Sequence, residues 1–245
     1  MDCVCVFSCA RDARLMPVQA AGVRRVLPEA GLVYVVPEGE VGAFPAGALR
    51  RYGAQVVPSC WERGRSLCGA EAVQGVLHTL AACGRACGGA VVKLDADSVL
   101  LRADWLEGLR SGGCGYVGFE CWQGMLPTGA CYALSAEGAV RCAEAVTPWR
   151  WLGADGSPWL PEDRAVFLTA LRVLGDAGAQ VMPWDAPGEV SPRVVGFDPV
   201  FYGGTRPSRR AVAVHCGEKP QLALYERMGL DRTQQVLRAM RCVMD

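Results

Sequence analysis

Residues 91–100 read VVKLDADSVL, an apolar run that ends in two aspartates one residue apart, Asp95 and Asp97. A D-x-D triplet arises easily by chance, so its weight comes from its position. The carboxyl end of a buried strand is where open α/β sheets place their ligands. Residues two apart on a strand point the same way. Two neighbouring carboxylates repel, and a divalent cation removes that cost. Hard carboxylate oxygens suit Mg²⁺ or Mn²⁺, ions that keep open positions for phosphate oxygens. The pair therefore reads as a metal–diphosphate site, against the plainer reading of two solvated turn residues.

Three further stretches carry chemistry. The chain has two histidines. His78 falls in an amphipathic helical pattern and reads as structural. His215 ends the apolar AVAV and begins HCGEKP. Imidazole is a good metal ligand, Gly217 lets backbone approach a phosphate, and Lys219 supplies positive charge. Pro161-Glu162-Asp163 reads as a helix start, where Pro and acidic residues are favoured by the missing N–H partners and the dipole. The loop TPWRWLGADGSPWLPED carries Trp149, Trp151 and Trp159, and Trp122 follows GYVGFEC. Indole faces pack on the apolar faces of sugar rings as well as in cores. A loop this long is uncommon without function, so it is expected to shape an acceptor pocket.

The elements that must hold these residues alternate along the chain. CVCVFS (3–8), GLVYVVP (31–37) and GAQVVPS (53–59) are short, valine-rich runs, as expected of strands buried on both faces. MPVQAAGVRRVLP makes a helix of about ten residues between the first two. Ala70, Val73, Leu77 and Leu80 form one stripe of a helix over Ser66–Cys83, ended by Gly84 and then Gly88–Gly89. AVVKLDADSVLL is expected as one fourth strand. ADWLEGLR reads as a short helix, residues 113–122 as a strand, and GACYALSAEGAVRCAEAV as strand then helix. Pro161 opens a helix to about Leu174, 179–184 and 211–216 are late strands, and helical pieces close the chain. This order predicts one α/β domain with a sheet parallel in its first half and mixed later. Residues 1–100 form its nucleotide-binding half and residues 101–245 its substrate half.

Composition narrows the classes. The 245 residues are 51% apolar, enough for a sizeable core. Lys and Arg number 25, as do Asp and Glu, so the basic excess of a general nucleic-acid binder is absent. The thirteen cysteines are odd in number and many fall at apolar strand or helix positions, so a reduced, cytoplasmic protein is expected. Cys3 and Cys5 share a strand face, with Cys9 following, but a metal site there needs more ligands than the local sequence offers. MDCVCVFSC lacks the layout of a signal peptide, and no stretch approaches a membrane span, so at most a membrane-peripheral protein is expected.

VVKLDADSVLL, after three βα-like units, resembles the DXD strand of GT-A fold glycosyltransferases. The likeness covers most of the chain in order and style, but only short motifs in letters. HCGEKP resembles the H-x-x-G-x-x-K-P-W motif of the glycogenin-like retaining members. It is two residues shorter here, with Gln221 where Trp stands in the motif. The resemblance implies a GT-A (Rossmann-like) domain that moves a sugar, of hexosyl type, from a nucleotide-sugar donor to an acceptor hydroxyl. UDP is the family's commonest nucleotide. It also implies a Mn²⁺ or Mg²⁺ cofactor, with Asp97 as direct ligand, Asp95 on ribose or on the metal through water, and His215 as third ligand. Lys219 would touch diphosphate. Ser8, Arg11 and Arg14, after the first strand, would lie at the nucleotide, an arginine pairing with phosphate. Glu162-Asp163 resembles the acidic element near the acceptor. Asp163 would be the general base in an inverting enzyme, or orient a sugar in a retaining one. The acceptor, whether sugar, lipid-linked or protein, stays open.

Two enzyme or binding alternatives share the sheet type. A sugar-phosphate nucleotidyltransferase would carry a G-x-G-T-R loop after the first strand, where this chain has SCARDARLMP. A catalytically inactive GT-A-like scaffold would bind without turnover. A third class, a zinc-thiolate protein, would be built on the cysteines.

Overall fold

The computed structural model describes residues 1–61, 67, 69–121, 125–146, 162–182, 193–196, 211–216 and 229–244. Trp122, Trp149, Trp151, Trp159, Gly217 and Lys219 lie outside the described residues. The first half is built of β1 (Cys3–Phe7), α1 (Met16–Val26), β2 (Gly31–Pro37), α2 (Ala46–Arg50), β3 (Ala54–Ser59), α3 (Ala70–Cys87) and β4 (Val91–Asp95). There follow β5 (Ser98–Leu100), α4 (Glu107–Arg110), β6 (Tyr116–Cys121), β7 (Met125–Pro127), β8 (Cys131–Leu134) and α5 (Ala136–Ala145). After these come α6 (Glu162–Gly178), β9 (Ala179–Met182), β10 (Arg193–Gly196), β11 (Ala211–His215) and α7 (Arg232–Met244).

The main sheet runs β3-β2-β1-β4-β8-β6-β7, with β9 also paired to β6. β1 to β4 are mutually parallel, and β8 is antiparallel to both its neighbours. The arrangement is α/β and Rossmann-like, a mostly parallel sheet with helices on both faces. Alternation along β1 explains the layering. Val4 and Val6 face a core shared with α1 and α7, while Cys3, Cys5 and Phe7 face a second core shared with α3, α5 and α6. The central strands β1 and β4 are buried along their length, as their unbroken apolar runs require. β3, at the end of the strand order, is not: Gln55 is exposed. Among the described residues no helix is long and apolar enough to cross a membrane.

Three expectations are corrected. VVKLDADSVLL is not one strand. The chain leaves the main sheet at Asp95, turns at Ala96–Asp97, and enters a second, three-stranded sheet ordered β10-β11-β5. Gly84 does not end α3, which begins at Ala70 and runs to Cys87, where Gly88 takes the left-handed conformation (φ 72°). Glycine is the default in that conformation because it has no Cβ to clash. Gly84 is kept for another reason: a Cβ there would meet the backbone of Ala136, at the start of α5, at 3.1–3.2 Å. His78 is not a packed side chain but lies on the exposed face of α3. The expected end of α6 near Leu174 coincides with a break at Gly175 (φ 73°), beyond which the helix resumes to Gly178.

The α3–α5 approach is therefore set by a missing side chain. Gly84→Val is expected to destabilise the protein by about 1–3 kcal/mol through overpacking, read as a lower urea midpoint with an unchanged slope.

Candidate functional site

Four strands, β1, β4, β5 and β11, meet at the carboxyl end of β4. The register Phe7↔Asp95 aligns the ends of β1 and β4. β11 pairs antiparallel with β5, so that His215 stands opposite Ser98. The N–H of Cys216 then donates to the carbonyl of Asp97 (2.8 Å), which ties the end of β11 to the aspartate turn. Asp95, Asp97 and His215 thus offer one ligand atom each, all within 4.8 Å of one another. The nearness of the two carboxylates comes from the turn between two sheets rather than from side-by-side placement on one strand. His215 Nε2 lies 3.1 Å from Asp97 Oδ1. Burial would raise the Asp97 carboxyl, but the His215 contact outweighs it and holds the group below the usual carboxylate range.

The turn is clamped from below by Gln19, a buried residue of α1. Its Nε2 donates to the carbonyls of Asp95 (2.5 Å), the first aspartate, and Ser98 (3.1 Å), the residue after the second. Its Oε1 is buried with no hydrogen-bond partner among the described residues. Two bonds to backbone from a buried amide hold the turn whatever the aspartate side chains bind.

Lys93 is the largest electrostatic feature. It is 1% exposed, on the same strand face as Asp95. Its ammonium donates to Asp95 Oδ1 at 2.5 Å and to the carbonyl of Gly129. Glu162 Oε2 is 3.8 Å away. Tyr132, the cross-strand neighbour of Lys93, lies with its ring centroid 5.7 Å from the ammonium. The Tyr132 hydroxyl donates to Glu162 Oε1 (2.5 Å). Burial alone would lower the Lys93 pKa, but Asp95 and Glu162 together raise it, so the residue is a fixed cation. Glu162 is itself buried, and burial pushes its carboxyl up to about 7 against the opposing pull of Lys93. Asp163 is likewise raised by burial, in spite of the N–H bond it accepts from Arg164 and the charge of Lys93.

A cleft of about 400 Å³ opens over these groups. Its walls include Arg11, Asp95, Asp97, Thr128, Asp163 and His215. This volume suits part of a drug-sized ligand. Among the sequence candidates, Asp95, Asp97, His215, Glu162, Asp163 and Arg11 come together here. Arg11 has an 85% exposed side chain at the rim, 3.6 Å from Asp12. Arg14 is exposed and does not line the cleft. Ser8 is fully buried, its Oγ without a hydrogen-bond partner among the described residues. Glu162 is no solvated helix-start acid, since its carboxylate points into the Lys93–Tyr132 network. Sequence reasoning missed Gln19, Lys93 and Tyr132. The one signal was a lysine inside an otherwise apolar strand, VVKLD.

No protein-family model matches the chain, and no curated protein matches it.

The raised Glu162 pKa has a stability consequence. Between about pH 4.5 and 7 the folded state binds the Glu162 proton and the unfolded chain releases it, so this group's contribution falls as pH rises through that window. Glu162→Gln is expected to flatten the pH dependence of the urea midpoint across the same range. An unchanged slope would show that Glu162 ionises freely in the fold.

Proposed function

We propose that the protein is a metal-dependent glycosyltransferase of GT-A type, moving a hexosyl group from a nucleotide-sugar donor, of UDP type, to an acceptor hydroxyl. The observation that carries the reading is the convergence of Asp95, Asp97 and His215 on one point at the carboxyl end of the central strand, beside an open cleft. The donor set fits the implied ion. Two hard carboxylates and an imidazole suit Mn²⁺ or Mg²⁺ better than a soft ion.

A bound divalent ion supplies charge neutralisation for a departing diphosphate. The chain's own residues supply the frame. Gln19 holds the carbonyls of Asp95 and Ser98, at the start of the turn and just after it. Lys93 takes Oδ1 of Asp95, which fixes that carboxylate at the cleft. Glu162 lies beside Lys93 and anchors the first turn of α6 through Tyr132. Asp163, the next residue on that turn, lines the cleft and takes the acceptor side, as base or as orienting group. Arg11 at the rim reaches phosphate oxygens of the donor.

The test is turnover. Asp97→Asn keeps size and hydrogen-bonding shape while removing the anionic ligand. It is expected to lower Mn²⁺-dependent release of nucleoside diphosphate from the donor by more than about 100-fold, the upper range for loss of even an outer-shell partner, with the far-ultraviolet spectrum unchanged. Wild-type turnover in the variant would overturn the assignment.

A further inference from the structure

The opposite end of the same sheet carries a second cluster. Cys3 and Cys5 lie on β1 facing α3, and Cys83 faces them from the last turns of that helix. Their three sulfurs lie within 4.8 Å of one another. Cys3 and Cys5 are buried and Cys83 is half-buried. The sequence alone places a C-x-C on one strand face without enough neighbours for a metal. Folding supplies the third sulfur from 78 residues further along.

The surroundings favour a thiophilic ion over simple packing of small apolar side chains. Cys83 and Cys87 are one turn apart on α3, on the same helix face. Both line a groove of about 760 Å³ between α3 and the faces of β2 and β3, and Cys3 lines it too. The Cys87 sulfur lies 3.8 Å from the carbonyl of Gly84 and 4.0 Å from that of Gly89. A four-thiolate zinc site has zinc–sulfur bonds near 2.3 Å, hence sulfurs about 3.8 Å apart. The sulfurs of Cys3, Cys5 and Cys83, all within 4.8 Å of one another, approach that spacing, while Cys87 stands outside this group on the groove wall, one turn further along α3. All of the donors are soft, so the site selects against the hard ions suited to Asp95 and Asp97.

We propose that Cys3, Cys5 and Cys83 form a thiolate site for one thiophilic divalent cation of the Zn²⁺ class, with Cys87 on the groove wall as the fourth sulfur. Binding displaces thiol protons to solvent and joins the first strand of the sheet to the end of α3. The two metal chemistries are then segregated. Oxygen and nitrogen ligands stand at the carboxyl ends of the strands, and sulfur ligands stand towards the amino ends.

Co²⁺ is the probe, because thiolate coordination gives an intense sulfur-to-cobalt charge-transfer band that carboxylate and imidazole ligands do not. The full chain, reduced with a non-chelating phosphine and kept anaerobic, is titrated with Co²⁺ and then with Zn²⁺. The expected result is a band that saturates at one equivalent and disappears as Zn²⁺ displaces Co²⁺. Cys83→Ser and Cys83→Ala are each expected to abolish it. Asp97→Asn, which alters only the other site, and Cys60→Ser, an exposed thiol on the same groove, are expected to retain it. Absence of the band in the folded wild-type chain would overturn the proposal. So would a band that survives both Cys83 substitutions, or one lost in Cys60→Ser. None of these outcomes depends on glycosyl transfer.

Discussion

The architecture of the cleft depends on one buried cation. Lys93 sits at the centre of the sheet with its ammonium out of water, and such a group is tolerable only if its neighbours compensate it. Three elements contribute to that: Asp95 from the end of its own strand, Gly129 from the loop before β8, and Glu162 from the start of α6. The same requirement that satisfies the lysine therefore fixes where α6 begins, how the β8 loop approaches, and which way Asp95 points. Tyr132 closes the circuit by contacting both the ammonium and Glu162. Burial pushes Glu162 up while Lys93 pulls it down, so acid and cation are coupled within one polar cluster.

A second constraint is topological. The chain changes sheets between Asp95 and Ser98, and the two aspartates stand at the point of crossing. Gln19 bridges the backbone on either side of that crossing, and the carbonyl of Asp97 receives the N–H of Cys216. His215 reaches the carboxylates because β11 pairs with β5 rather than with the main sheet. The cluster is thus a product of a second sheet joining the main one at the carboxyl end of β4, not of one strand's periodicity.

This explains what could be read from the letters. Valine-rich runs announced the parallel strands, most clearly β1, whose burial on both faces leaves a local imprint, while the edge strand β3 carries a similar run with Gln55 exposed. The grouping of Asp95, Asp97 and His215 was legible because Asp95 and His215 each end an apolar run, and strand ends are where open α/β sheets gather polar groups. Glu162 and Asp163 were placed correctly at a helix start, yet the burial of Glu162 was hidden, since its partners Lys93 and Tyr132 are 69 and 30 residues away. Gln19 was invisible for the same reason: an amide inside an amphipathic helix has no local signature of the turn it clamps 76 residues later. The change of sheet was missed because Ala96 and Asp97 interrupt the apolar run too briefly to mark a boundary. Cys83 likewise looked like one more small residue on a helix stripe.

The central claim is that the carboxylate–imidazole cluster holds a divalent ion that in turn holds a nucleoside diphosphate. A thermal-shift panel tests it most directly: nucleoside diphosphates and nucleotide sugars, each with and without Mn²⁺, read as melting temperature. Ligands that bind only the folded state raise stability by mass action, about 2.7 kcal/mol at a hundredfold excess over Kd. The account requires at least one nucleotide whose stabilisation appears only with Mn²⁺, exceeding the sum of the shifts from metal and nucleotide alone. A panel in which no nucleotide moves the melting temperature with Mn²⁺ present would contradict it.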